Sequence, residues 1–186
     1  IKIGHISASA YCFNESIKWT NIIINKFWAE DKNLFAFTES EVLYKKSFEI
    51  EDQVIPSSNS VIANNLYELY NVSHDKKYLE IMDKMMSKVG SKAQKWLPNY
   101  TNWLMLSNKK NASKKQYVTI GYELNELWNL HHQKEINDQV YVLEKESDIL
   151  IFKEKYQEKE KNIFICNENS CIANAANIKE ALSIKI

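Results

Sequence analysis

The chain has 186 residues, 45% of them apolar, and its 24 acidic and 24 basic side chains give zero formal net charge. That length fits one domain or two small ones, and the charge balance gives no electrostatic case for a nucleic-acid or acidic-membrane partner. Every basic residue is lysine, so bidentate arginine recognition of phosphate or carboxylate is excluded.

No apolar run approaches the roughly 18 residues of a membrane-spanning helix. No signal peptide is recognised, and a start at Ile1 rather than Met reads as a trimmed or partial chain. Three widely placed cysteines do not make a disulfide framework, so a reducing cytoplasm is the expected compartment. The wealth of Lys, Asn and Ile points to an AT-rich genome, and a bacterial source is expected.

In chain order, Asn14 is placed to cap a helix over 14–28, with Trp19, Ile23 and Phe27 on one face. Extended segments at 34–37 and 42–44 suggest a short hairpin. Pro56 ends an extended stretch, and Ser57, Ser58 and Asn59 are all good caps for a helix over 57–72. That helix carries Ile62, Leu66, Leu69 and Tyr70 on one face. A turn at 73–75 leads to a third helix over 76–89, which groups Tyr78, Met82, Met85 and Val89, with Gly90 as its stop. A fourth helix surrounds 100–106, with Pro98 in its first turn or at a kink.

The polar, lysine-rich stretch 108–115 reads as a domain boundary, giving units of 1–108 and 116–186. Beyond it the rhythm changes. Strands are expected at 117–120, 140–143 and 162–166, and a helix over 123–135 with Leu124, Leu127, Trp128 and His131 on one face. Residues 153–161 read as a charged connection. Asn177 with Glu180 forms a capping-box pattern for a closing helix. The fold class is therefore mainly α with α/β: helical hairpins, then a small three-stranded α/β unit with parallel pairing.

Five segments, in order, resemble the C-terminal third of the YyaL-type family of thioredoxin-domain-containing, spermatogenesis-associated proteins. They are Leu34-Phe-Ala-Phe-Thr38, Asp52-Gln-Val-Ile-Pro-Ser-Ser-Asn-Ser60, Tyr100-Thr-Asn-Trp103, Val118-Thr-Ile-Gly121, and Ile163-Phe-Ile-Cys166 through Cys171. The resemblance implies a partial α/α toroid of the six-hairpin glycosidase type, followed by the small α/β unit. It also implies a thioredoxin-like domain in the parent protein.

In such toroids the N-termini of inner helices approach a central cavity. Asp52, Ser57 and Asn59 are thereby candidate contacts for sugar hydroxyls, because a helix N-terminus offers unpaired N–H groups. The competing reading makes Ser57 or Ser58 a helix cap and leaves Asp52 solvated. Glu39, Glu49 and Glu51 are further acids for a paired-carboxylate mechanism. The tryptophans and ten tyrosines suit sugar stacking, or simply a core.

Cys166 and Cys171 are candidate redox residues. Their four-residue spacing differs from the two of thioredoxin-like sites, and zinc needs two further ligands. His131 and His132 are the nearest in sequence, but adjacent helical residues diverge by about 100°. No metal or cofactor is expected. The pair is expected as two free thiols that pack locally and oxidise reversibly, and Cys12 as a buried, inert thiol.

The leading reading is carbohydrate-related binding in the toroid; the alternatives are a redox-linked accessory module serving a thioredoxin domain and a structural remnant. The expected partners are a small carbohydrate and the rest of the parent protein or a second copy, since half a toroid leaves apolar faces open. A sugar site requires acids converging in a pocket around Asp52. A redox module requires Cys166 and Cys171 at bonding distance.

Overall fold

The computed structural model describes residues 1, 10–39, 46–123, 125–158, 160–167 and 170–185. It is a mixed α and β chain in two compact units, Glu15–Asn111 and Ile1–Asn14 with Ala112–Ile186. The division falls inside the polar break. Residues 10–14 group with the second unit, because Phe13 packs there on Tyr141 and Phe152.

The first unit is helical. Helix α1 (Ala10–Phe27) runs straight into a tight hairpin of β1 (Trp28–Ala29) and β2 (Leu34–Phe35). Trp28 pairs with Phe35 and Ala29 with Leu34. Asn33 adopts φ 55°, which asparagine tolerates, and its N–H donates to Ala29 O at 2.8 Å. The expected partner of 34–37 was 42–44. The tight turn pairs β2 with β1, and the Trp28 and Phe35 rings close to 5.1 Å between centroids. Residues 42–44 lie outside the described residues, although Phe37 N–H reaches Ser47 O at 2.9 Å. On α1, Ile23 and Phe27 are half-buried while Trp19 is exposed.

Helix α2 (Ser58–Ser73) and helix α3 (Lys76–Ala93) form an antiparallel pair. His74, at φ 55°, ends α2 in the left-handed conformation and donates its N–H to Tyr70 O. Asp75 then caps α3 by accepting Lys77 N–H at 3.1 Å. Tyr78, Met82, Met85 and Val89 are all buried, as their spacing predicts, and α3 packs on α2, where Ala63, Leu66, Leu69 and Val72 are buried. Gly90 does not stop α3, which continues one turn to Ala93. A single helical turn at Leu97–Tyr100, with Pro98 inside it, starts helix α4 (Thr101–Asn111).

The second unit is built on one four-stranded sheet: β3 (Gln116–Ile120), β4 (Gln139–Leu143), β5 (Asn162–Cys166) and β6 (Cys171–Ala175), in the order β4-β3-β5-β6. The three expected strands share it, but two expectations are corrected. Only β3 and β4 are parallel, while β5 runs antiparallel to β3. A fourth strand, β6, returns along β5. It is largely exposed, so it carries no apolar alternation.

The helix expected over 123–135 is shorter, α5 (Trp128–Gln133). Leu127 and Leu130 enter the core, while Trp128 and His131 point outward; Leu124 lies outside the described residues. Helix α6 (Ile178–Ser183) closes the unit, with Asn177 Oδ1 accepting Glu180 N–H at 3.0 Å. Glu180 Oε2 accepts the N–H of Ala176, one residue earlier than in a standard capping box.

One face of the sheet packs Tyr117, Val140, Ile163 and Ile165 on Leu127, Leu130 and Ala181. Elsewhere Tyr141, Phe152 and Phe13 meet at centroid distances of 5.5–6.4 Å. Gly121 ends β3 at φ 72°, and a Cβ there would stand 2.8 Å from Glu160 O, so only glycine fits. No helix among the described residues is long and apolar enough to cross a membrane.

Candidate functional site

Asp52, Ser57 and Asn59 lie together at the start of α2, and all three are buried, with Asp52 the most exposed at 6%. Pro56 fixes the chain before the helix, and Ser57 takes the extended conformation of an N-cap (φ −64°, ψ 151°). Its Oγ accepts Ser60 N–H at 3.2 Å and donates to Ile50 O at 2.9 Å. This is the capping role, since the first N–H groups of a helix have no partner of their own.

Asp52 is not solvated. Its Oδ1 accepts the Ser57 N–H at 2.9 Å and the Ser60 hydroxyl at 2.7 Å, and its Oδ2 accepts the Asn102 N–H at 2.8 Å. Asn102 is the second residue of α4, so one carboxylate serves the N-termini of two helices. Both helix dipoles favour negative charge there. The Asp52 backbone N–H donates to Asn99 O at 2.7 Å, and Asn102 Nδ2 donates to Ser60 Oγ at 2.9 Å, closing the ring.

Asn59 acts as a strand mimic. Its Oδ1 accepts Phe35 N–H at 2.8 Å and its Nδ2 donates to Phe35 O at 2.9 Å. The same amide nitrogen donates to Glu49 O at 2.9 Å. The side chain thus satisfies both the backbone N–H and the C=O of Phe35 in β2.

The other acids engage partners of their own. Glu49 Oε2 accepts Ser58 N–H at 2.9 Å. Glu51 Oε1 accepts the Tyr100 hydroxyl at 3.4 Å; burial first, and then Glu51, push the Tyr100 phenol above its ordinary pKa. Glu39 pairs with Lys26 at 3.1 Å. Trp103 is buried, and its Nε1–H donates to Ile50 O at 2.9 Å. Ser60, Asn102 and Trp103 complete the network, and the caps alone did not reveal them. The available signal was the placement of Asn102 just after the Pro98 turn, where a helix start exposes its N–H groups.

Cys166 and Cys171 form a disulfide, which corrects the expectation of two free thiols. The hairpin places the two residues opposite each other, with a register shift between Ile165 and Cys166 and a Cα–Cα distance of 3.7 Å. Cys166 is buried and Cys171 is exposed. Cys12, expected to be buried, is half-buried.

His131 and His132 are both exposed. The His132 ring stacks on Trp128, itself exposed, at 4.0 Å, and its Nδ1 lies 2.9 Å from Trp128 O. No group of three or more metal-ligating side chains occurs among the described residues.

A cavity in the second unit is lined by Lys114, Lys115, Lys185, Glu135 and Asp138. Asp138 is committed to structure there. Its Oδ1 accepts Lys115 N–H at 2.7 Å, and its Oδ2 lies 3.5 Å from the Tyr117 hydroxyl. Burial, followed by the charge of Asp138, pushes the Tyr117 phenol up to about 12.

No family model, curated protein or solved structure matches this chain.

Proposed function

We infer that this chain is a redox-linked accessory module, the C-terminal part of a YyaL-type thioredoxin-domain-containing protein. In this reading the helical hairpins belong to an α/α toroid, and the α/β unit carries a disulfide that exchanges with a dithiol partner. The observation that carries it is the bond between buried Cys166 and exposed Cys171. The ordered motifs of the sequence support the family.

The chemistry follows from the exposure difference. A partner thiolate attacks Cys171 Sγ, the accessible sulfur, and the S–S bond breaks. The electron pair leaves on Cys166 Sγ, which takes a proton. The partner's second thiol, deprotonated, then attacks its own sulfur in the mixed disulfide and releases Cys171. The module gains two electrons and two protons, and the partner dithiol becomes a disulfide. The carbohydrate reading rests on the resemblance alone, because Asp52, Ser57 and Asn59 direct their polar atoms inward.

The test is thiol trapping. The oxidised chain is incubated with a thioredoxin-type dithiol protein, quenched with a maleimide, and its adducts are counted by mass spectrometry. Two new adducts, on Cys166 and Cys171, are expected within minutes, and a Cys171 mixed disulfide is expected with a partner lacking its resolving thiol. A bond that stays intact in the folded chain overturns the redox reading and leaves a structural remnant.

A further inference from the structure

A second cavity lies wholly within the helical unit, between the C-terminal half of α3 and the start of α4, with a volume of about 200 Å³. Its walls include buried Val89, Ala93 and Trp103 and the more exposed Leu97 and Leu104. None of the lining residues is charged. The Trp103 Nε1–H is already donated to Ile50 O, so the indole faces the cavity as an apolar surface.

Gly90 sits in this lining. Its backbone is ordinary helix with no positive φ, so nothing in the chain conformation asks for glycine, a poor helix former. A Cβ built there meets nothing within 4 Å. Gly90 is itself exposed, so the missing side chain leaves the rim of the cavity open instead of relieving a clash.

Two lining side chains carry polar groups, Gln94 and Ser107. Among the described residues neither side chain has a hydrogen-bond partner, whereas the acids and amides around Asp52 are all engaged.

We propose that this cavity binds a small, uncharged, single-ring molecule bearing one hydrogen-bonding substituent. Size is the first argument: an apolar protein cavity of about 150 Å³ holds benzene, so this one, open at the exposed rim formed by Gly90, Gln94 and Leu97, takes a ring with its short substituent toward the mouth. Charge is the second: an ionised ligand would lose hydration with no opposite charge in the lining to replace it. The hydroxyl of Ser107 and the amide of Gln94 supply the few polar contacts that fix orientation in such sites.

The experiment titrates the full chain with p-cresol and with toluene, read by the melting temperature and by ligand proton line broadening. Saturable one-to-one binding of both is expected. Gly90→Leu places a side chain over the mouth of the cavity and improves the helix, so it should cost about tenfold or more in affinity for both ligands while the melting temperature holds or rises. Ser107→Ala should weaken p-cresol about threefold or more and leave toluene unchanged. Absence of saturation in the wild-type chain overturns the proposal, as does wild-type affinity in a folded Gly90→Leu variant. If Gly90→Leu melts lower than wild type, the Ser107→Ala comparison decides: equal effects on the two ligands overturn the proposal.

Discussion

Asp52 Oδ2 accepts the backbone N–H of Asn102 at 2.8 Å across fifty residues of sequence, and so ties the start of α4 to the start of α2. The opposite oxygen of the same carboxylate holds Ser57 and Ser60. Removing it strands several buried donors at once, each having lost its water on folding. Asp52→Ala should therefore lower stability by about 3–5 kcal/mol in urea denaturation. Asp52→Asn keeps one acceptor oxygen and should lose less. A change under about 1 kcal/mol in Asp52→Ala would contradict this account.

Asn59 presents a different problem, because it must both donate and accept. Asn59→Ala leaves the buried Phe35 N–H without an acceptor and two carbonyls without the amide donor. The expected loss is about 2–4 kcal/mol. Asn59→Asp keeps the shape but replaces the donor with an acceptor facing Phe35 O and Glu49 O. It should cost more than alanine at pH 7 and recover as the pH falls and the carboxyl protonates. Chemical denaturation of both variants at pH 7 and pH 4, each referred to wild type, reads the difference.

Tyr117 links the sheet core to Asp138 and sets an alkaline limit. Its folded pKa is raised to about 12 by burial and then by Asp138, against about 10 in an unfolded chain. The neutral phenol is thus favoured by folding. Its contribution is fully present below pH 10 and is lost as the pH rises from 10 to about 12. The two-unit difference corresponds to about 3 kcal/mol at most. Tyr78, Tyr100 and Tyr122 shift in the same direction, so the whole-protein slope contains several phenols. Tyr117→Phe isolates one of them. It should lie within about 1 kcal/mol of wild type at pH 7 and lose less stability between pH 10 and 12. Parallel curves for the two proteins would exclude the assignment.

What was legible in the sequence was local. The α3 stripe of Tyr78, Met82, Met85 and Val89 follows helical spacing, and the Ser57 cap reports on its own helix four residues at a time. The apolar runs at 117–120, 140–143 and 162–166 mark strands for the same reason. What escaped depended on distant partners. Nothing near Asp52 says that its second oxygen will meet Asn102, and nothing near Asn59 names Phe35 as its strand. The end of α3 was misjudged because a glycine weakens a helix without ending it when the following residues continue to pack, as Ala93 does. Strand β6 escaped because an edge strand with Cys171, Ile172 and Asn174 exposed has little apolar pattern to display.

The Cys166–Cys171 bond spans a sequence separation of only five, which decides how much it stabilises. Closing so short a loop removes little freedom from the unfolded chain, so the bond should contribute about 2 kcal/mol. It lies at the end of the β5–β6 hairpin, on the outer strand of the sheet. The β3–β4 ladder lies on the other side of β5 from it. Reduction with dithiothreitol, or the Cys171→Ser substitution, should therefore leave the unit folded, with a urea midpoint lowered to match that loss. Amide exchange should quicken in β6 and at the end of β5 while β3 and β4 stay protected. Cooperative unfolding of all four strands on reduction would show that the bond holds the unit together, and would remove the ground for treating it as an exchangeable pair.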